Sequence, residues 1–259
     1  MNQRQDHSDK DPIHPTARLG RGTRIGHFSV VSADVHIGED CIIGHHVVIH
    51  VGSHIGNNVR IDDHTVIGKQ PMRAANSAVT RGQQQPPPRI GNDCIVGTGV
   101  VIYAGSELGD RVMVADLASI RENVTIGEYS IVGRGVSIEN ECTIGRYCKL
   151  ETNAYVTAYS ELEDRCFVAP GVLTSNDNFL GRTEERFKHF KGVTIRKGGR
   201  IGVGAVVLPG KEIGPDGVVA AGAVLTHDAE EESVYVGVPA RKTGPVAEEQ
   251  KLDNQGWEE

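Results

Sequence analysis

Residues 120–150 read IRENVTIGEYSIVGRGVSIENECTIGRYCKL. Ile120, Ile126, Val132, Ile138, Ile144 and Leu150 fall six apart without a miss. Small residues such as Ser130, Cys142 and Cys148 follow four places behind an aliphatic. A period of six is a multiple of the two-residue repeat of a strand and does not fit the 3.6 of a helix. The segment therefore reads as short strands with a turn after each.

The same phase extends in both directions. Upstream, Ile13, Leu19, Ile25, Val31, Ile37, Ile43, Ile49, Ile55, Ile61 and Ile67 keep it, and after a break it resumes at Ile90. It then runs through Val168, breaks again, and returns from Ile195 to Leu225. Thirty aliphatics in phase make ten coils of eighteen residues, three strands to a coil. Stacked at about 4.8 Å per coil, they form a prism roughly 48 Å long. Each coil buries its aliphatics only against its neighbours, as in other solenoids. Gly often follows the aliphatic, as at Gly20, Gly26, Gly127 and Gly145, and is read here as the residue that lets the chain turn sharply.

The composition agrees with a narrow, repetitive core. Of 259 residues 32 are Gly, and aromatics make up only 5%. The net charge of −7 and the absence of a basic stripe give no footprint for nucleic acid. No apolar run approaches the length of a membrane helix, and MNQRQDHSDKDP has no apolar stretch of a signal peptide. A cytoplasmic protein is expected, with residues 1–12 a disordered tail, 13–228 the repeat and 229–259 a C-terminal extension, frayed or disordered at its end.

Cys41, Cys94, Cys142, Cys148 and Cys166 all occupy the small slot four past an aliphatic, where Cys acts as a compact hydrophobe. Nine of the eleven histidines precede residue 65, and His27/His45, His36/His54 and His46/His64 lie one coil apart on outward positions. They are read as a stacked polar face.

The two breaks mark loop excursions, at 68–89 and 175–194, where binding residues concentrate. The first, with its QQQPPP, reads as extended. The second reads TSNDNFLGRTEERFKHFKGVT from Thr174. Asn176 and Asp177 at its start are read as candidates for chemistry, in preference to a plain Asx-type turn, because binding residues concentrate in excursions. In the middle coils Tyr103, Arg121, Glu139 and Thr157 form a polar row one coil apart. Arg121 and Glu139 are expected to pair between coils, with Arg121 the candidate for a substrate phosphate.

The pattern [LIV]-G-x-x-[STAV]-x from Ile13 to Leu225 resembles the hexapeptide-repeat acyltransferases. That resemblance implies an all-β, left-handed parallel β-helix and a homotrimer with sites between copies. The TSN turn is similar to that of the nucleotide-sugar N-acetyltransferases. On it, Asn176 lies near the acceptor amine and the thioester, and Asp177 or Asp116 handles the proton. Asp116, in VADLASI, stands where the lipid A–type enzymes carry a catalytic His, which disfavours O-acylation. Ala158, one coil before Asn176, stands where the N-acetyltransferases often have Glu. VYVGVPARKTG matches the family's V-G-x-P-A-[RK] ending. It implies that acetyl-CoA lies along Gly204, Ala205, Gly222 and Ala223, with Arg241 and Lys242 at its phosphates. The expected activity is acetyl transfer to an amino group of a nucleotide-linked sugar, with no metal. The alternatives are O-acyl transfer and a zinc protein, since His45-x4-His50 is similar to the paired ligands of γ-class carbonic anhydrases.

Overall fold

A computed structural model describes residues 12–77 and 83–256. The chain winds as a parallel β-helix, left-handed as the resemblance to the acyltransferases implies. Each coil lays one two-residue strand on each of three sheets, starting from Arg18–Leu19, Arg24–Ile25 and Val30–Val31. The sheets hold 10, 12 and 10 strands. Every aliphatic of the repeat sits over its equivalent one coil on, as Ile126 over Ile144, Val132 over Leu150 and Ile138 over Val156.

These aliphatics point inward, and from Val31 onward almost all are under 5% exposed. Full burial of one such side chain contributes about 1.5–3 kcal/mol. The slot four residues on also points inward and holds all five cysteines, buried and unpaired. Their thiols do more than fill space. Cys41, Cys142 and Cys148 donate to the carbonyls of Gly56, Thr157 and Glu163 in the next coil at 3.1 Å. Ser130 makes the same bond to Gly145. Burial pushes the Cys94 and Cys142 thiols up to about 11 and about 12, which keeps them protonated and inert.

The glycine after each aliphatic has a different reason from the one expected. Left-handed backbone falls two residues later, at positions such as Asn123, Tyr129 and Gly135. Gly127 and its equivalents instead allow coils to approach. A Cβ on Gly127 would lie 2.6 Å from the Gly145 carbonyl carbon, and one on Gly56 2.7 Å from that of Gly91.

The three corners of the prism define its edges. The first lies between the first and second sheets, the second between the second and third, and the third where the chain steps up to the next coil. Both excursions leave from the third edge, after Val66–Lys69 and Leu173–Thr174. The ladder closes beneath each of them, Ile90 pairing with Ile55 and Ile195 with Leu162. The C-terminal extension begins with two strands. Ser233–Val236 joins the second sheet and Arg241–Pro245 pairs with it antiparallel. Short 3-10 turns at Glu248–Gln250 and Leu252–Asn254 follow. The expected N-terminal tail, apart from Pro12, lies outside the described residues.

Candidate active site

The third edge collects most of the chemistry. At the foot of the first excursion Lys69 sits 5.4 Å over the Tyr103 ring. One coil up, Arg121 lies 4.8 Å over the other side of that ring. Its principal partner is Glu122 on its own coil, held in a fork at 2.9 and 3.2 Å. The expected pair with Glu139 forms as a longer contact of 3.5 Å. Two carboxylates thus engage the guanidinium, which corrects its assignment to a substrate phosphate. Burial, offset by Arg121 and reinforced by Glu122, raises the pKa of Glu139. Among the described residues Lys69 has no carboxylate partner.

Two coils above Glu139 the second excursion begins. The backbone carbonyl of Asn176 accepts from the Lys191 amide at 3.3 Å and so closes the loop's base. The half-buried side-chain amide of Asn176 has no hydrogen-bond partner among the described residues. Its carbonyl and NH2 are both available to a ligand.

Asp177 is placed otherwise. Its carboxylate accepts from the amides of Phe179 at 2.8 Å and Gly181 at 3.0 Å, and pairs with Arg186 at 3.0 Å. Arg186 in turn lies against the rings of Phe187 and Phe190. Desolvation opposes ionisation of Asp177, but these amides and Arg186 outweigh it and hold its pKa below the usual range. A carboxylate so engaged is a poor proton acceptor, so the Asx-turn reading replaces the catalytic one. Asp177→Ala is expected to raise tryptic cleavage at Arg182, Arg186 and Lys188 several-fold. In the native chain the protection is present above the ordinary carboxylate range. It is lost only as pH falls through the lowered value, because a depressed pKa stabilises the ionised form. Unchanged cleavage in the variant would remove this role.

The excursion also carries a group that the repeat could not single out. His189 Nε2 lies 3.2 Å from Glu185 Oε1, and its ring packs near Phe179 at 5.7 Å. His189 is two residues from Lys191, which docks on Asn176, so it belongs to the same end of the loop. The sequence signal was a Glu four residues ahead of a His inside an interruption.

Asp116 is not part of this cluster. It follows Met113–Val114 on the second edge, whereas Asn176 follows Leu173–Thr174 on the third. They differ by a face of the prism and by about 14 Å along its axis, three coils at 4.8 Å. Asp116 Oδ1 accepts from the Thr98 amide one coil back at 2.9 Å. Asp63, Asp110 and Asp164 do the same for His45, Asn92 and Arg146. It is a corner residue.

The donor candidates divide as well. Gly204 and Gly222 are exposed on the second edge with left-handed backbone and open space where a Cβ would stand. Ala205 and Ala223 are 0% exposed and face the core, which corrects their assignment as ligand contacts. Lys242 pairs with Glu230 at 2.6 Å, while the exposed Arg241 donates to the Ala240 carbonyl.

The histidines of the lower coils stack as expected, His27 on His45 at 5.4 Å and His46 on His64 at 4.9 Å. His45 Nδ1 accepts from the His27 amide. Burial, with Lys69 adding to it, lowers the pKa of His50. Among the described residues no group of three or more His, Cys, Asp or Glu is placed to hold an ion. Among them, too, no helix is long and apolar enough to cross a membrane.

Comparison with known proteins agrees with the repeat. The bacterial transferase hexapeptide pattern (six repeats) matches residues 16–51. The hexapeptide repeat of succinyl-transferase matches 34–69, 87–115 and 118–158. Over these residues the chain carries the hexapeptide repeat of bacterial transferases. It is 46% identical over 52 residues to a Schizosaccharomyces pombe chain assigned as a serine acetyltransferase. That match covers 20% of this chain and 19% of the relative, so the chain spans about a fifth of its length. A UDP-N-acetylglucosamine acyltransferase from Campylobacter jejuni superimposes with a TM-score of 0.50 and 18% identity, covering 90% of this chain and 74% of that one. The corresponding enzyme from Bacteroides fragilis gives a TM-score of 0.42 and 18% identity over 90% and 72%. At these identities the likeness is one of fold.

Proposed function

We propose that the chain is an acyl-CoA-dependent acyltransferase that moves an acetyl group to an amino group of a nucleotide-linked sugar. The observation that carries this is the unpartnered amide of Asn176 at the mouth of the second excursion. Its NH2 would face the developing oxyanion, or its carbonyl the amine. His189, oriented by Glu185, takes the proton in place of Asp116 and Asp177. Lys69, at the foot of the first excursion, suits a phosphate of the acceptor. The donor lies along the second edge over Gly204 and Gly222, with Arg241 beyond them.

A homotrimer is part of the proposal. The outward rows of the second and third sheets carry Ile42, Ile95, Met113, Val30 and Leu173 at 40–50% exposure. The first sheet presents Arg18, His36, His54, Arg89 and Glu107 instead. Two faces with apolar rows, interrupted on the second sheet by Arg24, Arg60, Lys149 and Arg200, beside one polar face suit packing about a three-fold axis.

The His189–Glu185 pair favours one second reading, O-acylation, because a hydroxyl acceptor needs a base. A panel of nucleotide-linked amino sugars and their hydroxyl counterparts, assayed with acetyl-CoA for thiol release, separates the two. Thiol release with neither set would sink the acyltransferase reading for this substrate class.

A further inference from the structure

A second site lies a face away from Asn176. The C-terminal segment crosses the outside of the second sheet near the first edge and roofs a cavity of about 290 Å³. Lys149, Phe167 and Arg200, one per coil, are in register on its floor. Tyr147 and Arg165 form its wall, with the Arg165 guanidinium 4.6 Å from the Tyr147 ring. The roof is pinned by Leu252, whose amide donates to Asp216 Oδ2 at 3.1 Å. Gly198 leaves room for the Leu252 side chain, since a Cβ there would lie 2.5 Å from Leu252 Cδ1.

Arg200 is the anomaly. Its Nη1 donates to Gln250 Oε1 at a long 3.5 Å, while its buried Nε and Nη2 have no partner. That same side of the guanidinium holds a carboxylate elsewhere in the chain. Arg60 grips Asp62 at 2.7 and 3.2 Å, and Arg196 grips Glu212 at 2.8 and 3.1 Å. Arg121 grips Glu122 in the same way. A buried charged donor edge with no acceptor carries its desolvation cost uncompensated. Asp216, also at the cavity, is engaged by the Leu252 amide, and Lys149 has no ionic partner among the described residues.

We propose that this cavity binds the phosphoryl group of a small ligand. Those two nitrogens are closed off while the roof is in place; once it lifts, the Nε/Nη2 edge of Arg200 takes two phosphoryl oxygens and Lys149 a third, because a guanidinium fork matches phosphate as well as carboxylate. Phe167 offers a face to an aromatic base carried by the same ligand. Entry requires the roof around Leu252 to lift.

Calorimetric titration of the full chain with inorganic pyrophosphate and, separately, with ADP tests this without reference to acyl transfer. At least one titrant is expected to bind, and Arg200→Gln to weaken it by about tenfold or more. Binding of both titrants assigns recognition to the phosphoryl group alone, and binding of ADP alone adds the base. Lys149→Gln is expected to weaken binding less, and it carries the test if circular dichroism shows Arg200→Gln to be unfolded. No binding of either titrant at millimolar concentration overturns the proposal. So does wild-type affinity in folded Arg200→Gln, or in Lys149→Gln where that variant carries the test.

Discussion

Asn176→Ala is expected to lower kcat for acyl transfer by about 10²- to 10³-fold, the effect of removing one donor to a developing oxyanion. The melting temperature should be unchanged, because the side-chain amide makes no hydrogen bond among the described residues. The backbone bond from Lys191 that closes the loop survives the substitution. KM for the donor should also move little, since a hydrogen bond to a developing oxyanion acts in the transition state and not in ground-state binding. A kcat within twofold of the native value would remove Asn176 from the chemistry. A fall in kcat accompanied by a large fall in melting temperature would instead make it a structural residue.

Leu150→Ala is expected to cost about 2–5 kcal/mol of unfolding free energy, the transfer term plus that of the cavity left behind. Leu150 is 0% exposed and sits in register between Val132 and Val168. The backbone above and below is held rigid by ladder bonds, such as Gly133 to the Leu150 carbonyl at 2.7 Å, so the site has little freedom to collapse. Urea unfolding followed by circular dichroism measures the loss. Thr125→Ala, an outward residue of the first sheet, is the control and should stay within about 0.5 kcal/mol. A loss below about 1 kcal/mol for Leu150→Ala would mean that the coils relax into the gap. Because each coil touches only its neighbours, the loss should also broaden the transition.

How much of this was legible follows from periodicity. The six-residue phase placed the core aliphatics from Val31 to Leu225 and all five cysteines, because a solenoid repeats one local environment. It bears on Asp116 as well. Between Val114 and Thr174 there are ten hexads, and only multiples of three return to the same edge. Spacing alone therefore sets Asp116 and Asn176 on different edges of one chain, so that they can share a site only between copies. The inward phase of Ala205 and Ala223 was likewise present in the count, though resemblance to the family drew them outward as ligand contacts. The glycine after each aliphatic was placed correctly and explained wrongly, since close approach and left-handed backbone are not distinguishable from composition.

What the sequence could not carry lies where the repeat stops. Arg186 between Phe187 and Phe190, Asp177 spanning two amides, and His189 against Glu185 are contacts of an aperiodic loop. The same holds for the roof over Arg200, where residues distant in the chain meet across a sheet with no shared phase. Such pairings are set by tertiary closure and leave no mark in local spacing.

The shared departure point of the two excursions makes the third edge a docking bay for new sequence. The ladder beneath each loop re-forms as though nothing had been added. Segment length there is nearly free, since doubling a flexible loop costs only about 0.6 kcal/mol in closure entropy. One residue added within a strand would turn every later aliphatic of that coil outward. The architecture thus separates what is free to vary from what is not. Loops grafted onto that edge, or exchanged between the two positions, should change specificity while the prism continues to fold.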